Sequence, residues 1–191
     1  IIGIHPVGQE QYVFRETPGM ISPKNSLGTF MVKAANSSMQ DSDAIILVTD
    51  MGRNVTEVEK SVINYAKKTQ TPCVLALNKI DLYRREEIAE TIAIYAEMHD
   101  FSAVVPICAK NGKGVDALLD ECKPFLQESD FFFPEDMVTD QSERQVAAEV
   151  IREKLLRTLN KEIPHGVAVA IESFKDEGSL VSIRAEIFCE K

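Results

Sequence analysis

Three short apolar runs, each followed by a stretch of helical spacing, constrain this chain more than any other feature. Residues 44–50 (AIILVTD), Cys73–Asn78 (CVLALN) and residues 104–108 (VVPIC) are too short for buried helices. Their Val, Ile and Leu content is that of strands covered on both faces. Residues 56–69, 84–98 and 115–127 follow them as helices, with Thr56 a cap and Glu59, three residues on, completing a capping box. Strands alternating with helices of this length predict right-handed βαβ units, hence a mostly parallel sheet with helices on both faces. Ligands of such sheets sit beyond the carboxyl ends of the strands. Function is therefore to be sought just after Asp50, Asn78 and Cys108.

Ahead of these units, residues 1–5 and 11–15 predict two strands turning around Pro6, Val7 and Gly8, and residues 26–39 an amphipathic helix. Composition changes near residue 128. The stretch 128–143 has six acidic residues and no Lys or Arg, and its Phe131-Phe132-Phe133-Pro134 predicts a linker pinned by an aromatic plug. Residues 142–160 then predict a long helix with Ser142 as cap, and residues 167–174 and 180–188 two strands. One helix and two strands do not close a core alone, so this region reads as part of a second, α+β domain. The expected division is 1–127, a linker at 128–141, and 142–191.

With 21 Lys and Arg against 30 Asp and Glu, the 191 residues carry a net charge of −9. The excess is uneven: −3 over residues 1–127, −6 over 128–143, and zero over 144–191. That excludes only a broadly basic, non-specific nucleic-acid binder, and a clamp on a few exposed bases survives it; no DNA partner is expected. A hydrophobic content of 45% excludes global disorder. The four cysteines (Cys73, Cys108, Cys122, Cys189) show no C-x-x-C spacing, which argues against a disulfide scaffold or a zinc site and makes a reducing cytosol the default. His5, His99 and His165 share no ligand spacing.

The sharpest motif is Asn78-Lys79-Ile80-Asp81, directly after the CVLAL run. At a strand's carboxyl end, Asp81 can accept both N–H donors of a guanine's amide-like edge in a charge-assisted bidentate pair. Asn78 can offer its amide to the other side of the base or to the neighbouring loop, and the Lys79 stem can cover the ring. N-K-x-D arises by chance in roughly one chain in forty of this length, and fewer place it after a buried strand. Cys108-Ala109-Lys110 follows the next strand. A small residue there lets a main-chain N–H reach the guanine carbonyl while Lys110 packs from the far side. After the second strand comes Glu16-Thr17-Pro18-Gly19, where a carboxylate can hold Mg²⁺ through water and the Gly19 N–H can bond a terminal phosphate oxygen. Gly3-x-x-x-x-Gly8 imitates half of a phosphate loop, but Gln9-Glu10 follows it, and an acid there would repel phosphate. It reads as a hairpin turn.

These three motifs, in this order on an alternating pattern, resemble the GTPase domain of the Ras-like P-loop class. Residues 16–28 (ETPGMISPKNSLG) and 133–155 (FPEDMVTDQSERQVAAEVIREKL) narrow the resemblance to the Era family of bacterial GTPases, which join a G domain to a C-terminal type II KH domain. The resemblance implies GTP and GDP binding with Mg²⁺, slow GTP hydrolysis, association with small-subunit ribosomal RNA, and assistance to assembly of the small ribosomal subunit. It implies a cytoplasmic protein, with room for peripheral association with the inner membrane. By the same resemblance Asn78, Lys79 and Asp81 read guanine beside Cys108, Ala109 and Lys110. Glu16, Thr17 and Gly19, with Pro18 among them, form the catalytic switch that senses the γ-phosphate, Glu16 being the water-mediated Mg²⁺ contact.

Some positions depart from the family pattern. Glu16 stands where the family usually has Asp, and Cys108 where it usually has Ser. Met20 follows Gly19 where Ras-like enzymes carry a water-orienting Gln. The phosphate loop, first strand and Mg²⁺-binding threonine are expected before Ile1, and the G-x-x-G loop that clamps RNA after Lys191, in a longer protein of about 300 residues. Two alternatives stay open at this point: another ribosome-associated, tandem-domain GTPase, and a non-hydrolysing RNA-binding scaffold with a degenerate G domain.

Overall fold

A strand with five successive buried residues belongs at the middle of its sheet, since an unbroken apolar run must be covered on both faces. Here that strand is β4 (Cys73–Asn78), whose residues 73 to 77 are at most 1% exposed. It pairs in parallel with β3 (Ile45–Asp50) on one side and β5 (Ala103–Pro106) on the other. A computed structural model describes residues 1–17, 39–52, 54–158 and 167–189. It divides into two compact units: Pro6–Phe132, and Ile1–His5 with Phe133–Lys191.

In the first unit the alternation of a strand sorts the β4 side chains into two cores. Cys73, Leu75 and Leu77 point to one face, where they meet Ile63 and Ala66 of α1 (Glu57–Thr69) and Tyr95 of α2 (Arg85–Met98). Val74 and Ala76 point to the other, against Leu118 and Cys122 of α3 (Val115–Cys122) and Tyr12 of β2 (Glu10–Arg15). Full burial of each Val or Leu contributes about 1.5–3 kcal/mol, so the sheet is anchored through its central strand. The helices are thus on both faces of a parallel sheet, as the alternation predicts; this is the arrangement that the Ras-like resemblance implies.

The capping box at α1 is present, with Thr56 accepting from the Glu59 N–H and Glu59 accepting from the Thr56 N–H at 2.6 Å. Glu59 is buried and also accepts from the Thr49 hydroxyl of β3, which lies 3.0 Å from the Tyr95 hydroxyl of α2. One carboxylate therefore joins a cap, a strand and a second helix.

Several boundaries differ from expectation. The first strand, Ile2–Val7, takes in Pro6 and Val7, which the sequence places in its turn, and the strand expected over 167–174 runs to Asp176. α3 ends at Cys122 rather than at 127, and a 3₁₀ turn over Lys123–Phe125 follows, because Pro124 has no N–H for the ladder. β5 ends at Pro106, and Cys108 makes only an isolated bridge to Lys113. The helix expected over 26–39 lies, except for Met39, outside the described residues. β1 (Ile2–Val7) and β2 form a two-stranded sheet turning at Gly8, whose φ is 60°, so the Gly3–Gly8 spacing does mark a hairpin.

In the second unit, α4 (Glu143–Thr158) lies against β6 (Val167–Asp176), which pairs antiparallel with β7 (Val181–Cys189). Ser142 and Gln145 exchange capping bonds at the start of α4. No α4 residue is buried, and the helix is tied to β6 by polar bonds. Arg144 Nη2 donates to the carbonyls of Ile171 and Glu172 at 2.8 and 2.7 Å, where the register shifts between Ile171 and Ser173. A bulge leaves carbonyls without ladder partners, and the guanidinium supplies them. Arg152 Nε donates to the Val167 carbonyl at 3.1 Å. The main chain of Ile2 and Ile4 bonds to Asp140 and Val138 in this unit. Of the expected aromatic plug, Phe132 is 79% exposed, whereas Phe131 and Phe133 are half-buried. Among the described residues, no helix is long and apolar enough to cross a membrane.

Candidate functional site

β4 ends at Asn78, and the chain turns at once through a 3₁₀ turn over Ile80–Leu82. Lys79 makes the corner at φ 64°, ψ 33°. That left-handed conformation costs a residue with a side chain about 1–2 kcal/mol, so the corner must be held from outside. Ile80 N donates to Ile107 O at 3.3 Å and Leu82 N to Lys79 O at 3.0 Å. The corner is thereby fastened to the chain leaving β5.

Two side-chain bonds bring the sequence motifs together. Asn78 Oδ1 accepts from Ala109 N at 3.0 Å. With its oxygen engaged, the amide has its NH₂ end left to offer. The Cys108 thiol donates to Asp81 Oδ1 at 3.1 Å, and the Asp81 carboxylate is otherwise exposed. A carboxylate accepts at about four positions, so one thiol contact orients it without consuming it. Lys79 Nζ lies 2.6 Å from Asp50 Oδ2 at the end of β3. Lys110 is exposed on the same loop as Ala109.

The loop after β5 is pinned at several points. Cys108 N donates to Lys113 O at 2.8 Å, and Lys113 N to Asn111 Oδ1 at 3.1 Å. Gly114, with φ 81°, closes it into α3, and a Cβ there would sit 2.5 Å from the Pro106 carbonyl oxygen. Only glycine fits that approach. The loop's path, and with it the Ala109 N–H, depends on this residue.

Asn78, Lys79, Asp81, Cys108, Ala109 and Lys110 thus come from adjacent strand ends, and four of them are bonded directly. Glu16 and Thr17 follow β2, Glu16 exposed and Thr17 half-buried; Pro18 and Gly19 lie outside the described residues. Two features escape the sequence patterns. Asp50 as the partner of Lys79 is signalled only by an acid closing an otherwise apolar strand. The Cys108 side chain, rather than its backbone alone, supports Asp81, and no local pattern announces that. Among the described residues no three His, Cys, Asp or Glu are grouped to hold a metal ion.

A sequence model of the elongation factor Tu GTP binding domain matches residues 29–128. Over all of this chain, "GTPase Era" of Syntrophus aciditrophicus (strain SB) is 40% identical, and over 95% of it "GTPase Era" of Clostridioides difficile (strain 630) is 42% identical. The chain spans 63% and 62% of those two proteins' lengths. Among solved structures, a point variant of Aquifex aeolicus Era bound to GDP.AlF4⁻ superposes with a TM-score of 0.85 at 31% identity, covering 97% of this chain and 65% of that one. Era in complex with MgGDPNP and nucleotides 1506–1542 of 16S ribosomal RNA superposes at 0.84, with the same identity and coverage.

Proposed function

Because the chain belongs to the family of the elongation factor Tu GTP binding domain, and groups over its whole length with Era GTPases, we propose that its protein binds GTP and hydrolyses it to GDP and phosphate. The same proposal has it bind small-subunit ribosomal RNA and assist assembly of the small ribosomal subunit. The observation that carries it is the joining of N-K-I-D to C-A-K through the Asn78–Ala109 and Asp81–Cys108 bonds. In this reading Asp81 accepts the two N–H donors of guanine, which adenine does not present together. With guanine bound, the Ala109 N–H would be shared between Asn78 Oδ1 and the guanine carbonyl, and the stems of Lys79 and Lys110 would lie against the ring faces.

Residues 1–127 are read as the G domain, 128–141 as its acidic linker, and 142–191 as the N-terminal part of a type II KH domain. Glu16, Thr17, Pro18 and Gly19 are assigned to the switch. Bound Mg²⁺ would neutralise charge developing on the phosphates. Mg²⁺ at nucleotides takes one or two carboxylates and fills its shell with water and phosphate, so a single exposed Glu16 suits it. Glu16 would orient one such water, and Gly19 would donate its N–H to a phosphate oxygen. Met20 holds no side-chain amide to place the attacking water, only a weakly accepting thioether, so intrinsic turnover is expected to be slow. A cytoplasmic location and peripheral association with the inner membrane rest on the resemblance alone.

Competition binding and turnover on the full-length protein test the reading. GTP and GDP should displace a fluorescent GDP while ATP does not, and phosphate release should require Mg²⁺. Equal displacement by ATP would remove the assignment of Asp81. A filter-binding assay with the 3′ segment of 16S ribosomal RNA tests the RNA part; no retention would reject it.

A further inference from the structure

Asp50 is the last residue of β3 and sits opposite Asn78 in the parallel register. Lys79, one residue further along, turns through its left-handed corner and returns its ammonium to the Asp50 carboxylate at 2.6 Å. The main chain around Asp50 is tied on both sides. Thr49, just before it, donates its hydroxyl to the buried Glu59. The carbonyl of Met51 accepts from the Tyr83 hydroxyl at 2.8 Å. Gly52 follows at φ 76°, where a Cβ would overlap the Tyr83 hydroxyl. A carboxylate on so fixed a strand end is a rigid post, whereas a lysine is a flexible chain with much rotamer freedom to lose.

We infer that Asp50 is a positioning residue for nucleotide binding: it tethers the Lys79 ammonium so that the aliphatic stem is already laid out as the ledge on which the base rests. The inference rests on the assignment of Lys79 to the base, and nothing in the N-K-x-D motif itself specifies such a post. An ordering cost met before binding does not reduce affinity afterwards. Without the carboxylate, the stem must be ordered by the nucleotide itself, and release quickens. Both side chains are partly exposed, at 54% for Lys79 and 41% for Asp50, so the effect is modest.

The test uses the full-length protein, stripped of nucleotide and titrated with fluorescent GDP at low salt. Asp50→Asn should weaken binding about two- to fivefold, the range of an exposed ion pair, through faster release. Asp50→Glu should recover part of the loss. The decisive comparison is with Lys79→Met: in that background Asp50→Asn should cost nothing further, a coupling that general loosening of the fold would not produce. A loss of the same size in both backgrounds, or no loss in either, overturns the inference while leaving the guanine site standing. If Lys79→Met and Asp81→Asn both leave GDP affinity unchanged, the site assignment fails and this inference with it. Melting midpoints of all variants, measured alongside, identify any that are unfolded, and for such a variant Asp50→Glu supplies the comparison.

Discussion

Asn78 and Ala109 are 31 residues apart in the chain and joined by a 3.0 Å hydrogen bond, side-chain oxygen to main-chain N–H. The bond makes two motifs on two strands a single structure. A change in either loop is felt in the other.

Asp81→Asn replaces one acceptor of a bidentate pair by a donor. GDP affinity of the full-length protein should fall by about 10- to 100-fold, the worth of a hydrogen bond to a charged group. Xanthosine diphosphate, whose ring carries an acceptor where guanine has a donor, should gain by comparison. Isothermal titration with both nucleotides reads the exchange, and an unchanged order of preference would refute the role given to Asp81.

Gly114→Ala and Gly112→Ala form a matched pair. Both residues have positive φ, 81° and 79°, but only at Gly114 does an added Cβ meet anything, the Pro106 carbonyl oxygen. Each should lose about 1–2 kcal/mol of stability from the backbone conformation alone. Gly114→Ala should lose more in urea unfolding and should also weaken GDP, because the loop carrying Ala109 must move. Equal effects on GDP would mean the loop's path is not set by Gly114.

Glu59→Ala removes the return bond of the capping box together with the acceptor for a buried Thr49 hydroxyl. Loss of a cap and of a buried partner together should cost about 2–4 kcal/mol. Glu59→Gln keeps an amide oxygen and should cost less. Chemical denaturation distinguishes the two, and equal losses would show that the charge itself matters.

Burial pushes the Cys73 thiol from an ordinary value of 9.0 up to about 12. The folded protein then holds this proton more tightly than the unfolded chain does. The stability it contributes is complete below about pH 9 and is lost as pH rises towards 12. Burial raises Tyr12 and Cys122 in the same direction. Unfolding midpoints should therefore fall steeply above about pH 9, and the fall should be shallower in Cys73→Ala. Parallel curves for the two proteins would show that Cys73 does not titrate with unfolding.

What is legible in the sequence is what local chemistry decides. CVLAL declares a central strand because no exposed strand can be apolar at every position, and Thr56 with Glu59 declares a cap because the bond is made within one turn. N-K-I-D is legible because its residues act side by side. The Glu59–Thr49–Tyr95 cluster is not, since its members are 10 and 46 residues apart and meet only once three elements have packed. The Cys108–Asp81 and Lys79–Asp50 contacts are hidden for the same reason. The end of α3 is a different case: Pro124 stands in plain view, and its missing N–H outweighs the apolar spacing that runs on beyond it.

β4 also acts as a level from which the site is measured. Asp50 stands opposite Asn78, and Pro106 opposite Leu77, so three loops depart from nearly one height. The spacing between the groups proposed to read the base is then set by the gap between strands, about 4.8 Å, and not by how long the loops run. Loops of this protein can lengthen or change sequence farther out while that spacing holds. A slip of one residue between β4 and either neighbour would undo it at once.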